Sequence, residues 1–155
     1  GAWKKTKRHP LRQIKFRNAP MKLKPRGHAG FSEEDFRAKL VKGGNPWHQC
    51  LAAMGLSWRQ RCERGQPVDV PVIDLGPAQL LLLPGESYIE YQLAAQKMRP
   101  DSFVIVAGYG EGGTGYIPTE QHWREKDHNL GDWCWVHPGA EKVMLDAIRR
   151  VLVPR

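Results

Sequence analysis

Of the 155 residues, 41% are hydrophobic and 26% charged, a balance that excludes disorder throughout and suits one domain of ordinary size. The longest clean apolar run, Leu80–Leu83, falls far short of the roughly 20 residues a membrane-spanning helix needs, and the basic first residues lead into no apolar h-region. The formal charge of +8 is unevenly placed: residues 1–26 hold ten Lys or Arg and no Asp or Glu, leaving fourteen basic residues against all sixteen acidic ones in a nearly neutral remainder.

Taken in chain order, the basic arm comes first. Ile14 and Phe16 alternate with Lys15 and Arg17, and Met21 and Leu23 alternate with Lys22 and Lys24. That is the period of two of a strand with one buried face, so residues 11–24 are expected to pair as strand against the body, the lysines discouraging further edge pairing. A cationic arm also attracts nucleic acid or anionic lipid through counterion release. No aromatic and basic interleaving of an RNA-binding sheet, helix-turn-helix or zinc-finger spacing accompanies it, so nucleic acid is not the expected partner.

After a loop at 26–30, Ser32 reads as a helix N-cap, with Glu33, Glu34 and Asp35 in the first turn and Phe31 and Phe36 as a hydrophobic staple. A helix is expected over 32–42. A second, over 46–64, opens with Asn45-Pro46 and repeats Trp47, Leu51, Met54, Trp58 and Cys62 at helical spacing, a core stripe with His48 beside it as a structural residue. Val68, Val70 and Val72 alternate, and Ala78–Leu83 is a continuous apolar run between Gly76-Pro77 and Pro84-Gly85, so strands are expected at 68–74 and 78–83, the second buried on both faces. Helical spacing returns over 87–99, a buried strand follows at 102–108, then the glycine-rich turn Gly108–Gly115, an irregular aromatic stretch to Trp135, and a helix over 138–152. The sum is a mixed α/β fold, a central sheet flanked by helices, in a single segment 1–155: the strand-forming arm 1–26 and an α/β body 27–155.

Cys50, Cys62 and Cys134 are widely spaced and never form CxxC, so neither a disulfide scaffold nor a cysteine-rich zinc module is encoded. Three other chemistries have footholds. Gly110, Gly112 and Gly115 satisfy GxGxxG after an apolar strand, but Pro118 follows where a dinucleotide site needs a helix. Ser87 sits between a strand and a helix, where a nucleophile elbow would place it, and Asp127 or Asp132 with His137 would complete the order of a serine hydrolase. The elbow's second glycine is Ile89 here. Glu86 and Tyr116 follow two successive strands, so a carboxylate and a phenol are delivered to one sheet end, where ligands and metals collect. On spacing alone, a capping glutamate and a packed tyrosine are the competing reading. Tyr109, Gly112 and Gly113 are the candidate substrate-loop residues, the glycines allowing close backbone approach.

The run Leu81-Leu82-Leu83-Pro84-Gly85-Glu86, then Ser102-Phe103-Val104-Ile105-Val106-Ala107-Gly108-Tyr109, then Gly115-Tyr116-Ile117-Pro118-Thr119, resembles the carboxyl part of the neutral/alkaline ceramidase family, above all its shorter bacterial ceramidase-like members. Gly55-Leu56-Ser57-Trp58-Arg59, Asp69-Val70-Pro71 and Glu90–Gln96 extend the resemblance over most of the chain. It implies a zinc-dependent amidase acting on N-acyl sphingoid lipids, with Glu86 and Tyr116 as two zinc ligands. The family's two histidine ligands, arginine and serine nucleophile lie upstream and have no match here. The resemblance therefore implies a C-terminal segment of a larger hydrolase domain, partnered by that upstream part, incomplete alone, in a family often secreted or periplasmic. The family's Thr-Thr run after the zinc tyrosine is replaced by Pro118-Thr119 and then His122-Trp123. The alternative is a non-catalytic α/β module that binds a polyanion or protein through its basic arm.

Overall fold

The computed structural model describes residues 2–153, so Gly1 of the arm, Pro154 and Arg155 lie outside the described residues. After a 3-10 turn at Ala2–Lys5 come β1 (Lys15–Met21), α1 (Glu33–Lys42), α2 (Pro46–Glu63), β2 (Val68–Asp74), β3 (Ala78–Pro84), β4 (Glu86–Ser87) and α3 (Ile89–Met98). Then follow β5 (Phe103–Gly110), β6 (Tyr116–Ile117), α4 (Glu120–Glu125), a 3-10 turn at His128–Leu130 and α5 (Ala140–Leu152). The mixed α/β class expected from the switching periodicity is the one found.

Four strands form a sheet in the order β1-β2-β3-β5. β1 runs antiparallel to β2 and β2 to β3, whereas β3 and β5 are parallel, as the intervening helix α3 requires. The tight link from β2 to β3 is closed by the Leu75 N–H donating to the Ala78 carbonyl (2.9 Å) and the Gly76 N–H to Asp74 Oδ1 (2.8 Å). One face of the sheet is covered: α5 packs on β1 and β2, and α3 lies between α5 and β5. Val68, Val70, Val72, Leu81, Leu83 and Met21 on that face meet Met144, Ile148, Val151 and Leu152 of α5, all buried. Each such side chain contributes roughly 1.5–3 kcal/mol by leaving water.

Helix starts follow the local chemistry. Ser32 Oγ accepts the Asp35 N–H and the Asp35 carboxylate accepts the Ser32 N–H, both at 3.0 Å, closing a capping box ahead of α1. Phe31 and Phe36 meet edge to face at 6.1 Å, as a staple should. Asn45 Oδ1 accepts the Trp47 N–H (2.9 Å) and Pro46 opens α2. The α1–α2 hairpin is fastened to the stretch ahead of α5 by the buried Trp58 indole, which donates to the Trp135 carbonyl (3.1 Å).

Five expectations need correction. The arm pairs as strand with β2 over Lys15–Met21 rather than over the whole of 11–24, and Ile14 and Phe16 are exposed while Ala19, Met21 and Leu23 are buried. Even- and odd-numbered residues of one unbroken strand point to opposite faces, so Phe16 and Met21 cannot share the core. Secondly, 78–83 and 102–108 are strands but not buried on both faces: Leu80 and Leu82 are half-buried, and Phe103 and Ile105 are exposed. Among the described residues no helix packs on the outer face. Thirdly, Trp47 projects from the α2 stripe into solvent, one face stacked on Trp133 at 5.5 Å. Lastly, the stretch read as irregular contains α4, and the helix expected from residue 87 begins at Ile89, Glu86 and Ser87 being strand residues of β4.

Candidate functional site

Glu86 and Tyr116 are brought together by the small parallel pair β4–β6, in which Glu86 is the register partner of Tyr116 and Ser87 of Ile117. Partners in register project to the same face. β4 continues from the carboxyl end of β3 after a single residue, Gly85; β6 lies six residues beyond the end of β5. The two oxygen-bearing side chains thus arrive at the carboxyl ends of neighbouring parallel strands, the sheet end at which α/β folds commonly place ligands.

Two glycines make this convergence possible. Gly85 has φ +55°, and a Cβ there would strike the Thr114 hydroxyl and stand 2.6 Å from the Gly115 carbonyl. Gly115 has φ +64°, and its Cβ would strike the Trp133 carbonyl. The close approach is used for pairing: the Glu86 N–H donates to the Gly115 carbonyl (2.9 Å), the Tyr109 N–H to the Gly85 carbonyl (2.8 Å) and the Tyr116 N–H to the Trp133 carbonyl (2.9 Å). Thr114, wholly buried, donates its hydroxyl to the Gly115 carbonyl (2.9 Å).

Residues 133–136, which no sequence pattern marks as functional, run alongside the pair. The segment bridges to Gly115 on one side and Pro25 on the other. Its Trp133 indole N–H donates to Glu86 Oε1. An indole N–H is a donor only, so this contact orients the carboxylate as an acceptor. Trp133 is held between Trp47 at 5.5 Å and Trp135 at 5.6 Å. No periodic signal marks Trp133; an aromatic pair spaced by Cys134 in a segment between elements was the single trace.

Behind Tyr116 stands Tyr88, edge-on at 5.8 Å, whose hydroxyl donates to Asp127 Oδ1 (3.1 Å). Burial first, and then the Asp127 carboxylate, push Tyr88 up to about 12. Tyr116 is also raised, by burial and then by the neighbouring Glu86 carboxylate. Both effects disfavour a phenolate, so Tyr116 holds its proton unless a cation sits between the phenol and the carboxylate and reverses the local field. His122 reaches the site only through Tyr88, on whose ring it lies at 4.0 Å; its Nδ1 is 2.7 Å from the Thr119 hydroxyl.

The other sequence candidates are dispersed. Ser87 donates its hydroxyl to the Pro84 carbonyl (2.8 Å), Asp127 is taken up by Tyr88 and by the Asn129 N–H (2.8 Å), Asp132 lines a groove beside the α1–α2 link, and His137 is exposed. No hydrogen bond among the described residues joins Ser87 to a histidine. Tyr109, in the left-handed region at φ +59°, lines a groove on the outer sheet face with Phe16, Leu82 and Glu111, whereas Gly112 and Gly113 line a different groove against Trp58 and Arg61 of α2. The three substrate-loop candidates therefore do not share one cleft. Directly after Gly115 the chain enters β6 rather than a helix, so the glycine turn has no helix N-terminus for a pyrophosphate.

As a metal centre the site is partial. Glu86 and Tyr116 supply two adjacent oxygen donors of the kind zinc accepts, and among the described residues no group of three or more His, Cys, Asp or Glu is placed to hold a metal ion.

No protein-family model matches the chain, and no curated protein matches it in sequence. Among solved structures, the crystal structure of the neutral ceramidase from Pseudomonas aeruginosa is similar, with a TM-score of 0.54 and 15% sequence identity. The likeness is one of fold. It covers 91% of this chain, which spans 28% of that protein's chain. The mixed α/β arrangement described above is thus a ceramidase-like fold, and no described helix is long and apolar enough to cross a membrane.

Proposed function

We propose that this chain is the part of a ceramidase-like zinc hydrolase that supplies Glu86 and Tyr116 to a catalytic zinc, the remaining imidazole ligands coming from a preceding segment of the same catalytic domain. The observation that carries this reading is the register pairing of Glu86 with Tyr116 at the carboxyl ends of two parallel strands; the fold likeness and the sequence resemblance at Pro84-Gly85-Glu86 and Gly115-Tyr116 support it. Zinc in such a position supplies Lewis-acid polarisation of an amide carbonyl. Glu86, turned by the Trp133 indole, offers one carboxylate oxygen, and Tyr116 offers a phenol whose proton is held until positive charge arrives. The substrate class would be an N-acyl sphingoid lipid or a related amide.

Two oxygen donors alone make a poor zinc site, since catalytic zinc takes at least three protein ligands. The isolated 155-residue chain is therefore expected to bind zinc weakly and to show no amidase activity. Joined to the histidine-bearing segment, the protein is expected to hold one zinc per chain after dialysis, measured by elemental mass spectrometry, and to hydrolyse an N-acyl sphingoid lipid. Glu86→Ala and Tyr116→Phe should each lose metal content and activity together. Full zinc and full activity in either variant would return Glu86 and Tyr116 to packing roles.

A further inference from the structure

The glycine turn after β5, which the hydrolase reading leaves without a task, meets α2 across a cleft of about 420 Å³. Arg61 of α2, Arg64 at its C-cap, Gly112 and Gly113 line this cleft together with the apolar Met54 and Trp58. A third cation adjoins it: Lys22 Nζ would stand 3.6 Å from a Cβ at Gly65, the residue directly after Arg64. Lys22, Arg61 and Arg64 enter no ion pair among the described residues. The nearby acids are engaged elsewhere: Glu63 is paired with Arg59 at 2.9 Å, and Asp69 and Glu111 line the groove on the outer sheet face. Arg61 is steadied by donating Nη2 to the Pro67 carbonyl (2.6 Å), while its buried Nε has no partner among the described residues. Across the cleft, Gly112 and Gly113, at φ +116° and +56°, donate their N–H groups to no backbone carbonyl among the described residues.

We propose that this cleft is a binding site for a phosphate dianion, free or as the monoester of a small organic molecule. Cations gathered around one cleft without an acid repel one another, and a doubly charged anion there relieves the repulsion. Guanidinium groups present paired donors that match phosphate oxygens. Unpaired N–H groups in a turn of positive-φ residues add donors for the same oxygens. A carboxylate, with one charge and two oxygens, would satisfy fewer of these groups. The cleft is larger than a phosphate, and Met54 and Trp58 offer its remaining space to an organic body. Neither Arg61 nor Arg64 is hydrogen-bonded to Glu86 or Tyr116 among the described residues, so phosphate binding and zinc binding are separately measurable.

The test is isothermal titration calorimetry at 0.15 M salt and pH 7.5, with inorganic phosphate, phenyl phosphate and benzoate as probes. It is run on the 155-residue chain and on the same chain joined to the histidine-bearing segment. One phosphate per chain is expected in both forms. R64Q, a change at an exposed position, should bind about tenfold more weakly and R61Q/R64Q about a hundredfold, since each charge-assisted contact is worth roughly a factor of ten. K4Q/K5Q/K7Q, which removes more charge but from the arm, should bind as the parent does. Unchanged thermal unfolding of R64Q verifies that its fold is intact. Phenyl phosphate held more tightly than inorganic phosphate identifies an ester as the ligand; phenyl phosphate held no more tightly identifies free phosphate. No saturable binding, benzoate bound as tightly as phenyl phosphate, full binding by R64Q, or a loss in the arm variant equal to that in R64Q would each overturn the proposal. So would phosphate binding by the 155-residue chain that disappears in the joined form, the three cations then serving the added segment.

Discussion

Replacing Gly85 by alanine separates two costs that the structure combines at the site. An L-residue at φ +55° costs about 1–2 kcal/mol. The new methyl would also meet the Thr114 hydroxyl and lie 2.6 Å from the Gly115 carbonyl, both fixed by hydrogen bonds, Thr114 being wholly buried. Forcing a methyl into such a place costs about 1–3 kcal/mol more. Together these predict a loss of about 2–5 kcal/mol, or on the order of 10 °C in melting temperature for a chain of this length. Gly76→Ala is the control: its φ is +85° but a Cβ there meets nothing within 4 Å, so the backbone cost of about 1–2 kcal/mol should stand alone. Urea and thermal unfolding followed by circular dichroism would measure both. The double variant Gly85→Ala/Thr114→Ala removes one of the colliding groups and should cost at least about 1 kcal/mol less than the sum of the single changes. Equal losses for Gly85→Ala and Gly76→Ala, or strict additivity in the double variant, would refute the idea that close backbone approach at Gly85 is what sets Glu86 beside Tyr116.

Trp133→Phe removes the indole donor from Glu86 and, if the zinc reading holds, should weaken zinc binding by the whole hydrolase about 10- to 100-fold while leaving its secondary structure intact; competition with a chromogenic chelator would read this. The Asp74 carboxyl, which burial alone would raise, is held at about 2 by Arg17, the Gly76 N–H and Gln79. Against an ordinary value of 3.8 this corresponds to about 2 kcal/mol of stability, present above about pH 4 and lost as pH falls towards 2. Asp74→Asn should therefore be less stable than the parent at pH 7 by about 2 kcal/mol and indistinguishable from it near pH 2, in urea titrations at each pH. Burial pushes the Cys62 and Cys134 thiols up to about 11. Cys50, which is exposed, should take iodoacetamide at pH 7.5 at least about a hundredfold faster than either, as mapped by peptide mass spectrometry.

Local chemistry was legible without the fold. Ser32 and Asp35, Asn45 and Pro46, and the alternating valines of β2 each act within a few residues of chain, so caps, helix starts and strand identities could be read directly. The same holds for Pro84-Gly85-Glu86 and Gly115-Tyr116, where a strand end and a glycine are neighbours in sequence. Which face of each strand meets the core is a different kind of question. Leu80, Phe103 and Ile105 are as apolar as Leu81 and Val104, yet α3 and α5 cover only one side of the sheet, and hydrophobicity alone does not say which. Phe16 faces outward for that reason, its side being set by pairing with Ile73 rather than by its own character. Trp133 marks the sharpest boundary: it lies 47 residues from Glu86 in the chain, and nothing in its local pattern signals a partner. Short-range hydrogen bonds and spacing are properties of the sequence, whereas the meeting of Trp133, Glu86 and Tyr116 exists only once β4, β6 and the 133–137 segment have closed on one another, because contacts across that distance are selected by the packing of the whole fold.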